Sequence, residues 1–258
     1  MKGIAKIRQY LGKFKGNYVI IGGTACNLNL EDADMRGRAT KDVDMIVVCE
    51  ALTVEYLKSF WDFIRAGGYT AWQVKSETES HRYFYRFVNP TDSSFPAYIE
   101  LFSRKPDAIR LPENAHLVHI PAAEYLSSFS AILMDDDYYG YAVGHAVELD
   151  GVQVIDRVAL IALKVKAYLN NLIRKEAGQH VQSDDIDKHK RDVYRIAHIL
   201  TPEDRFTAPE AIKKDISVFL RTIESDPVNT KVISRFMGVP ELTQEQFAEI
   251  ISSSFGVL

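Results

Sequence analysis

Asp42 and Asp44 stand two residues apart at the head of the apolar run Met45-Ile46-Val47-Val48. That run predicts a β-strand, and in a strand residues i and i+2 project to the same face. Both carboxylates should therefore point to one side. Two like charges held so close raise each other's pKa unless a cation lies between them. Mg²⁺ is a natural occupant, because it binds through a few carboxylates together with substrate phosphates. The chemistry this spacing suits is metal-dependent phosphoryl or nucleotidyl transfer.

A two-ion version of that chemistry needs a third carboxylate, since two ions clamp the attacking and leaving oxygens. Glu100 is the strongest candidate. It lies in Phe95-Pro96-Ala97-Tyr98-Ile99-Glu100-Leu101-Phe102, whose alternation places Tyr98, Glu100 and Phe102 on one strand face. The simpler alternative is an edge-strand glutamate facing water. Glu148 is a poorer candidate, next to a turn expected at Asp150-Gly151. Upstream, the β-branched strand Tyr18-Val19-Ile20-Ile21 ends at Gly22-Gly23, and a helix is expected to start with Thr24 as its N-cap. Glycines at such a turn let the backbone approach a phosphate, and a helix N-terminus adds free N–H groups and partial positive charge.

The set Gly22-Gly23-Thr24-Ala25 with Arg38-x-Thr40-x-Asp42-x-Asp44 resembles the signature of the DNA-polymerase-β-type nucleotidyltransferase superfamily, and within it most closely the abortive-infection (AbiEii-like) toxin nucleotidyltransferases. The match is sharp over residues 18–48. It departs from the minimal pattern in the longer gap between Gly23 and Asp42, where Glu31-Asp32-Ala33-Asp34 is expected to extend a loop. The resemblance implies a mixed α/β core followed by a helical half. It also implies Asp42, Asp44 and Glu100 as catalytic metal ligands, and Gly22, Gly23, Thr24, Arg38 and Thr40 as nucleotide contacts. Lys164 joins the nucleotide contacts through Lys164-Val165-Lys166-Ala167, which is similar to a Lys-x-x-Ala segment of the family. A basic-Asp-x-x-Asp pattern is met only in part by Arg191-Asp192, because Arg195 stands where the second acid would be.

The elements that must position these residues divide near residue 150. The first part alternates helices (4–14, from 24, 54–66) with strands (18–21, 43–49, 69–75, 82–88, 96–102, 116–120). Residues 138–149 are read as further strands. From 156 onward the pattern is helical, with segments at 156–177, 184–200, 208–223 and 242–254. The expected fold class is an α/β (α+β) mixed sheet flanked by helices. Residues 1–152 would form the nucleotidyltransferase core, and 153–258 a helical domain closing the cleft. Helix 156–177 carries Arg157, Lys164, Tyr168, Asn171 and Lys175 in one stripe, which suits either a solvated face or phosphate contacts. Lys166, on the opposite side, suits snorkelling or pairing, and Asp192 suits pairing with a neighbouring cation.

Several other features are set aside. His116 and His119 fall on opposite faces of a strand and lack further ligands for zinc. Asp135-Asp136-Asp137 reads as a solvated turn. The run His81-Arg82-Tyr83-Phe84-Tyr85-Arg86 fits RNA contact or plain cross-strand packing. Neither a phosphate-binding Gly-x-x-x-x-Gly-Lys loop nor a Gly-x-Ser-x-Gly elbow occurs. The net charge of -4 argues against general nucleic-acid coating. Cys26 and Cys49 read as reduced core residues, and no apolar run reaches membrane-spanning length, so a cytoplasmic, non-membrane enzyme is expected.

The function expected is transfer of a nucleoside monophosphate from an NTP such as ATP, with two Mg²⁺ ions, to a hydroxyl of RNA, tRNA or protein. A toxin-like role and an antitoxin partner rest on the resemblance alone. Two other readings stay open: a non-catalytic nucleotide- or partner-binding module on the same fold, and a nucleotidyltransferase acting on a small molecule.

Overall fold

A computed structural model of the chain describes residues 3–75, 82–104, 117–119, 130–201 and 203–257. His116 and residue 81 lie outside them, and the side chains of residues 82–84 and of His119 are not described either. The chain folds into two compact units. A sheet unit contains residues 1–25 and 40–155, and a helical unit contains residues 26–39 and 156–258. The expected class, a mixed sheet with flanking helices and a helical C-terminal region, is the one observed.

In the sheet unit, β1 (Tyr18–Ile21), β2 (Asp42–Val47), β3 (Thr70–Lys75), β4 (Arg82–Val88), β5 (Tyr98–Ser103), β8 (Ala146–Leu149) and β9 (Val152–Ile155) run in the order β3-β4-β5-β2-β1-β9-β8. β2 and β5 are parallel, while β1 is antiparallel to β2 and β4 is antiparallel to β5. Beyond the reach of β4, Phe102 and Ser103 pair with β7 (Ser130–Leu133), which pairs in turn with β6 (Leu117–His119).

The period-2 alternation of β2 and β5 sorts their side chains. Val43, Met45, Ile99 and Leu101 are buried on one face. Asp42 and Tyr98 are exposed, and Asp44 and Glu100 half-buried, on the other. The apolar face is covered by aromatics of α3 (Val54–Gly67), with Phe60 meeting Phe87 edge-on at 5.6 Å and the Tyr56 hydroxyl reaching the Met45 sulfur at 3.6 Å. Thr53 caps the start of α3 by accepting from the Tyr56 N–H. Gly68 ends it at φ 62°, a left-handed conformation that glycine adopts without Cβ strain. α1 (Ile4–Leu11) packs alongside. The β8–β9 hairpin closes on Asp150 and Gly151, both at positive φ as a tight two-residue hairpin turn requires.

Three local expectations are corrected. α2 runs Gly22–Asp32, so both glycines lie in its first turn and Thr24 is not its N-cap. Instead the Thr24 hydroxyl donates to the Asp42 carbonyl oxygen at 2.6 Å, tying the helix start to the start of β2. The acidic stretch at 31–34 does not simply extend a loop, because Glu31 and Asp32 finish α2. Residues 138–149 are not all strand: α4 covers Asp136–Gly144, capped by the Asp135 carboxylate, which accepts from the Asp137 and Tyr138 N–H groups. The three aspartates therefore start a helix, where negative charge is favoured by the peptide dipoles, instead of forming a turn.

The helical unit holds α5 (Arg157–Glu176), α6 (Ser183–Ala197), α7 (Glu210–Ser225), α8 (Thr230–Met237) and α9 (Gln244–Phe255). Tyr168, Tyr194, Phe219, Phe247 and Phe255 are fully buried among aliphatic side chains. α8, absent from the sequence expectation, spans only eight residues, with Asn229 accepting at its start and Gly238 in the left-handed region at its end. Asp156 caps α5, accepting from Val158 N–H at 2.9 Å and Ala159 N–H at 3.0 Å. Among the described residues, no helix is long and apolar enough to cross a membrane. Replacing Asp156 with Ala removes both cap bonds and is expected to cost about 1 kcal/mol, read as an earlier urea midpoint in the helical signal of the full chain.

Candidate functional site

The parallel register of β2 and β5 sets Asp42 beside Tyr98 and Asp44 beside Glu100. On the far side of β5, Val88 lies opposite Tyr98 and Arg86 opposite Glu100. Two rows result across three strands: Asp42, Tyr98, Val88 and then Asp44, Glu100, Arg86. These six residues line an open depression of about 260 Å³. It is acidic along β2, and apolar with one cation along β4.

Each charge in the depression has a local environment that makes it tolerable. Asp44 sits opposite Ile21, the last residue of β1, so its carboxylate reaches the residue that follows. Gly22 adopts φ 69°, and its missing Cβ would collide with the Asp44 carboxylate. The glycine is therefore needed twice, for its left-handed backbone and for this close approach. It also brings Asp44 to the N-terminal end of α2, where unpaired N–H groups and the helix dipole favour negative charge. Asp42 is placed by its neighbours: its N–H points to the Thr40 hydroxyl at 3.4 Å, and its carbonyl takes the Thr24 hydroxyl. Glu100 is held from β4, where Arg86 donates Nε to Oε1 at 2.7 Å and Nη2 to the same oxygen.

Asp42, Asp44 and Glu100 are thus brought onto one face, with Gly22, Gly23, Thr24 and Thr40 adjoining them in the same unit. All three carboxylates offer the hard oxygens that Mg²⁺ prefers. Asp42 and Asp44 fit a divalent cation by chemistry and by face. Glu100, as it stands, is turned to Arg86. Among the described residues, no three His, Cys, Asp or Glu side chains converge closely enough to enclose an ion by themselves. Arg86 is the site residue that sequence reasoning missed. Its signal was only its strand phase, since the run from His81 to Arg86 named it without its partner.

Arg38 and Lys164 are brought together elsewhere, in the helical unit, around Asp192. That carboxylate is fully buried and accepts from Lys164 Nζ at 2.7 Å, Arg195 Nη1 at 2.8 Å and Arg38 Nε at 3.1 Å. Arg195, in the place of the family's second acid, joins this network. Lys164 and Tyr168 are buried, so the stripe along α5 is not a solvated face. Lys166 pairs with Asp215 at 2.8 Å. Three cations around one acid set the local protonation. Burial alone would raise the Asp192 pKa, but Lys164 and Arg38 outweigh it and hold the carboxyl down at about 2. Burial, followed by the charge of Lys164, lowers His189 to about 3. Burial first, and then the Asp192 charge, pushes the Cys26 thiol up to about 12, so it stays protonated. Cys26 is buried and Cys49 half-buried, and neither forms a disulfide.

No protein-family model matches this chain, and no curated protein matches it. Among solved structures it is similar to JHP933 from Helicobacter pylori, at 12% identity and a TM-score of 0.42, over 97% of this chain and 87% of that one. It is also similar to the Megavirus polyadenylate synthase, at 12% identity and a TM-score of 0.38, over 86% of this chain and 36% of that one. At those scores the likeness carries no argument about chemistry, which rests on the residues themselves.

Two outcomes are expected. Gly22→Ala forces an L-residue into left-handed backbone and displaces the Asp44 carboxylate, so it should destabilise the chain by about 1 kcal/mol or more in urea titration. Acid should act on the helical unit in two windows, because both depressed groups favour the folded state above their unfolded values. The contribution of His189 is complete above its usual 6.5 and is lost as pH falls toward about 3. That of Asp192 is complete above 3.8 and is lost as pH falls through about 2. His189→Gln should flatten the first window of the pH–stability profile and leave the second.

Proposed function

We propose that the sheet unit is a divalent-cation-dependent nucleotidyltransferase, moving a nucleoside monophosphate from an NTP to an acceptor hydroxyl with release of pyrophosphate. The observation that carries this reading is the register that sets Asp44 beside Glu100 while Gly22 backs onto the Asp44 carboxylate. Carboxylates, a glycine-opened helix start and an open depression are thereby grouped on one face.

Asp42 and Asp44 would hold Mg²⁺. When bound, the ion supplies charge neutralisation at the phosphates and polarises the reacting phosphoryl oxygen. The first turn of α2 would offer backbone N–H groups to phosphate oxygens. Glu100, released from Arg86, would serve as the general base that accepts the proton of an acceptor hydroxyl. Catalysis of this kind rests on positioning and electrostatics, with little covalent work for the protein. The acceptor class, RNA, tRNA or protein, and the toxin-like role with an antitoxin partner belong to this proposal through the family resemblance.

A second reading is favoured by one observation: Glu100 is occupied by Arg86 and does not converge with the aspartates. A site of two acids whose third carboxylate is held by a cation would bind a nucleotide without transferring it.

The two readings separate in one experiment. The protein is incubated with each α-labelled NTP, Mg²⁺, total RNA and cell lysate. Transfer of label by the wild type, reduced about 100-fold or more in Asp42→Asn and Asp44→Asn, is the expected result. Full turnover in Asp44→Asn would sink the assignment of the aspartates as metal ligands of the transfer, and NTP binding without transfer would establish the binding module.

A further inference from the structure

Glu100 and Arg86 face each other across adjacent strands, and the ladder between β4 and β5 fixes that juxtaposition. Both guanidinium nitrogens end on Oε1, and among the described residues no hydrogen bond reaches Oε2. The Arg86 side chain is 42% exposed and that of Glu100 20%. Both border the same depression as Asp42 and Asp44.

An ion pair this open contributes only about 0–1 kcal/mol, because water screens it and the long side chains lose freedom in forming it. It is therefore cheap to break. A divalent cation beside Asp42 and Asp44 would offer Glu100 twice the charge that Arg86 does. The arginine keeps three neighbouring carboxylates from standing uncompensated until that ion arrives.

We propose that Arg86 is the resident counter-ion of Glu100, which Glu100 exchanges for the incoming divalent cation, so that Arg86 sets how tightly the acidic face takes that ion. This rests on the reading of Asp42 and Asp44 as the cation site. Arg86 is a positioning residue in this scheme: it acts through Glu100 and keeps the third carboxylate off the site while no ion is bound. On exchange its guanidinium is left facing the depression, available to an anionic group of a substrate.

Mn²⁺ binding, followed by the electron-paramagnetic-resonance signal of the free ion, tests this without turnover. Arg86→Gln is expected to tighten Mn²⁺ binding about tenfold, since the competitor is gone and the carboxylate is freed. Arg86→Lys, which keeps the charge, should stay near the wild type. In a Glu100→Gln background, Arg86→Gln should change affinity by less than about threefold, because nothing is left to exchange. Unchanged or weaker binding in Arg86→Gln overturns the proposal. So does an equal gain with and without Glu100, which would mean that Arg86 acts by bare charge. Mn²⁺ affinity unaltered by Asp42→Asn/Asp44→Asn would remove the cation site itself, and is read separately from the Arg86 series. The thermal transition of each variant, compared with that of the wild type, serves as the folding control.

Discussion

Repulsion among three carboxylates on one sheet face is the constraint around which the sheet unit is arranged. Parallel pairing of β2 with β5 leaves no freedom in the matter, because the register that buries Val43, Met45, Ile99 and Leu101 necessarily brings Asp44 beside Glu100. Slipping one strand by a residue would separate the charges, but it would turn the apolar set out of the core. Burial of four large side chains, at roughly 1.5–3 kcal/mol each, outweighs the repulsion of part-solvated carboxylates. The charges must then be balanced locally, and two devices do so. The start of α2 lies against Asp44 through Gly22, and Arg86 holds Glu100 from the neighbouring strand.

The helical unit solves the inverse problem. Asp192 is one acid among three cations, and it is fully buried, whereas the carboxylates of the depression border solvent. Desolvation makes such a cluster a costly way to gain stability, and removing one partner would leave its opposite stranded. Its effect is to fix geometry. One carboxylate holds side chains from α5, from α6 and from the 26–39 segment at the same point. Burial, with the surplus positive charge added to it, keeps His189 neutral, and that charge keeps Asp192 ionised against its burial across the ordinary pH range.

What the sequence made legible follows the range over which each interaction acts. The strand phase of Asp42 and Asp44 is local and puts that pair on one face, whereas the placing of Glu100 beside them depends on the pairing of β5 with β2. The span of α3 and the turn at Asp150-Gly151 are likewise local and legible. Thr24 was misread because its hydroxyl bonds across to Asp42, eighteen positions away, and a long-range partner overrode a local cap preference. The α4 segment, rich in Tyr and Val, has strand propensity, but the Asp135 cap and the burial of Tyr138, Tyr139 and Ala142 favoured a helix. Arg86 and Arg195 could not be assigned, since each gains its meaning only from a partner supplied by the fold. The partner of Lys164, expected to be a nucleotide phosphate, is Asp192, because helical periodicity shows which residues share a stripe but not what that stripe meets.

Charge balance also bears on how many ions the depression can take. Three carboxylates less one guanidinium leave a formal charge of about -2 on its lining, which a single divalent cation neutralises. A second ion would carry the face to net positive unless its charge arrived with the substrate. On the proposed reading, the second cation would enter with the triphosphate, whose oxygens would supply the missing anionic ligands. The Arg86 exchange points the same way. Once the first ion has drawn Glu100, the freed guanidinium adds to the positive charge facing the depression, and an incoming polyphosphate is the partner that lowers it. On the proposed reading, the order of entry, first ion before nucleotide, would follow from the charges that one strand register brings together.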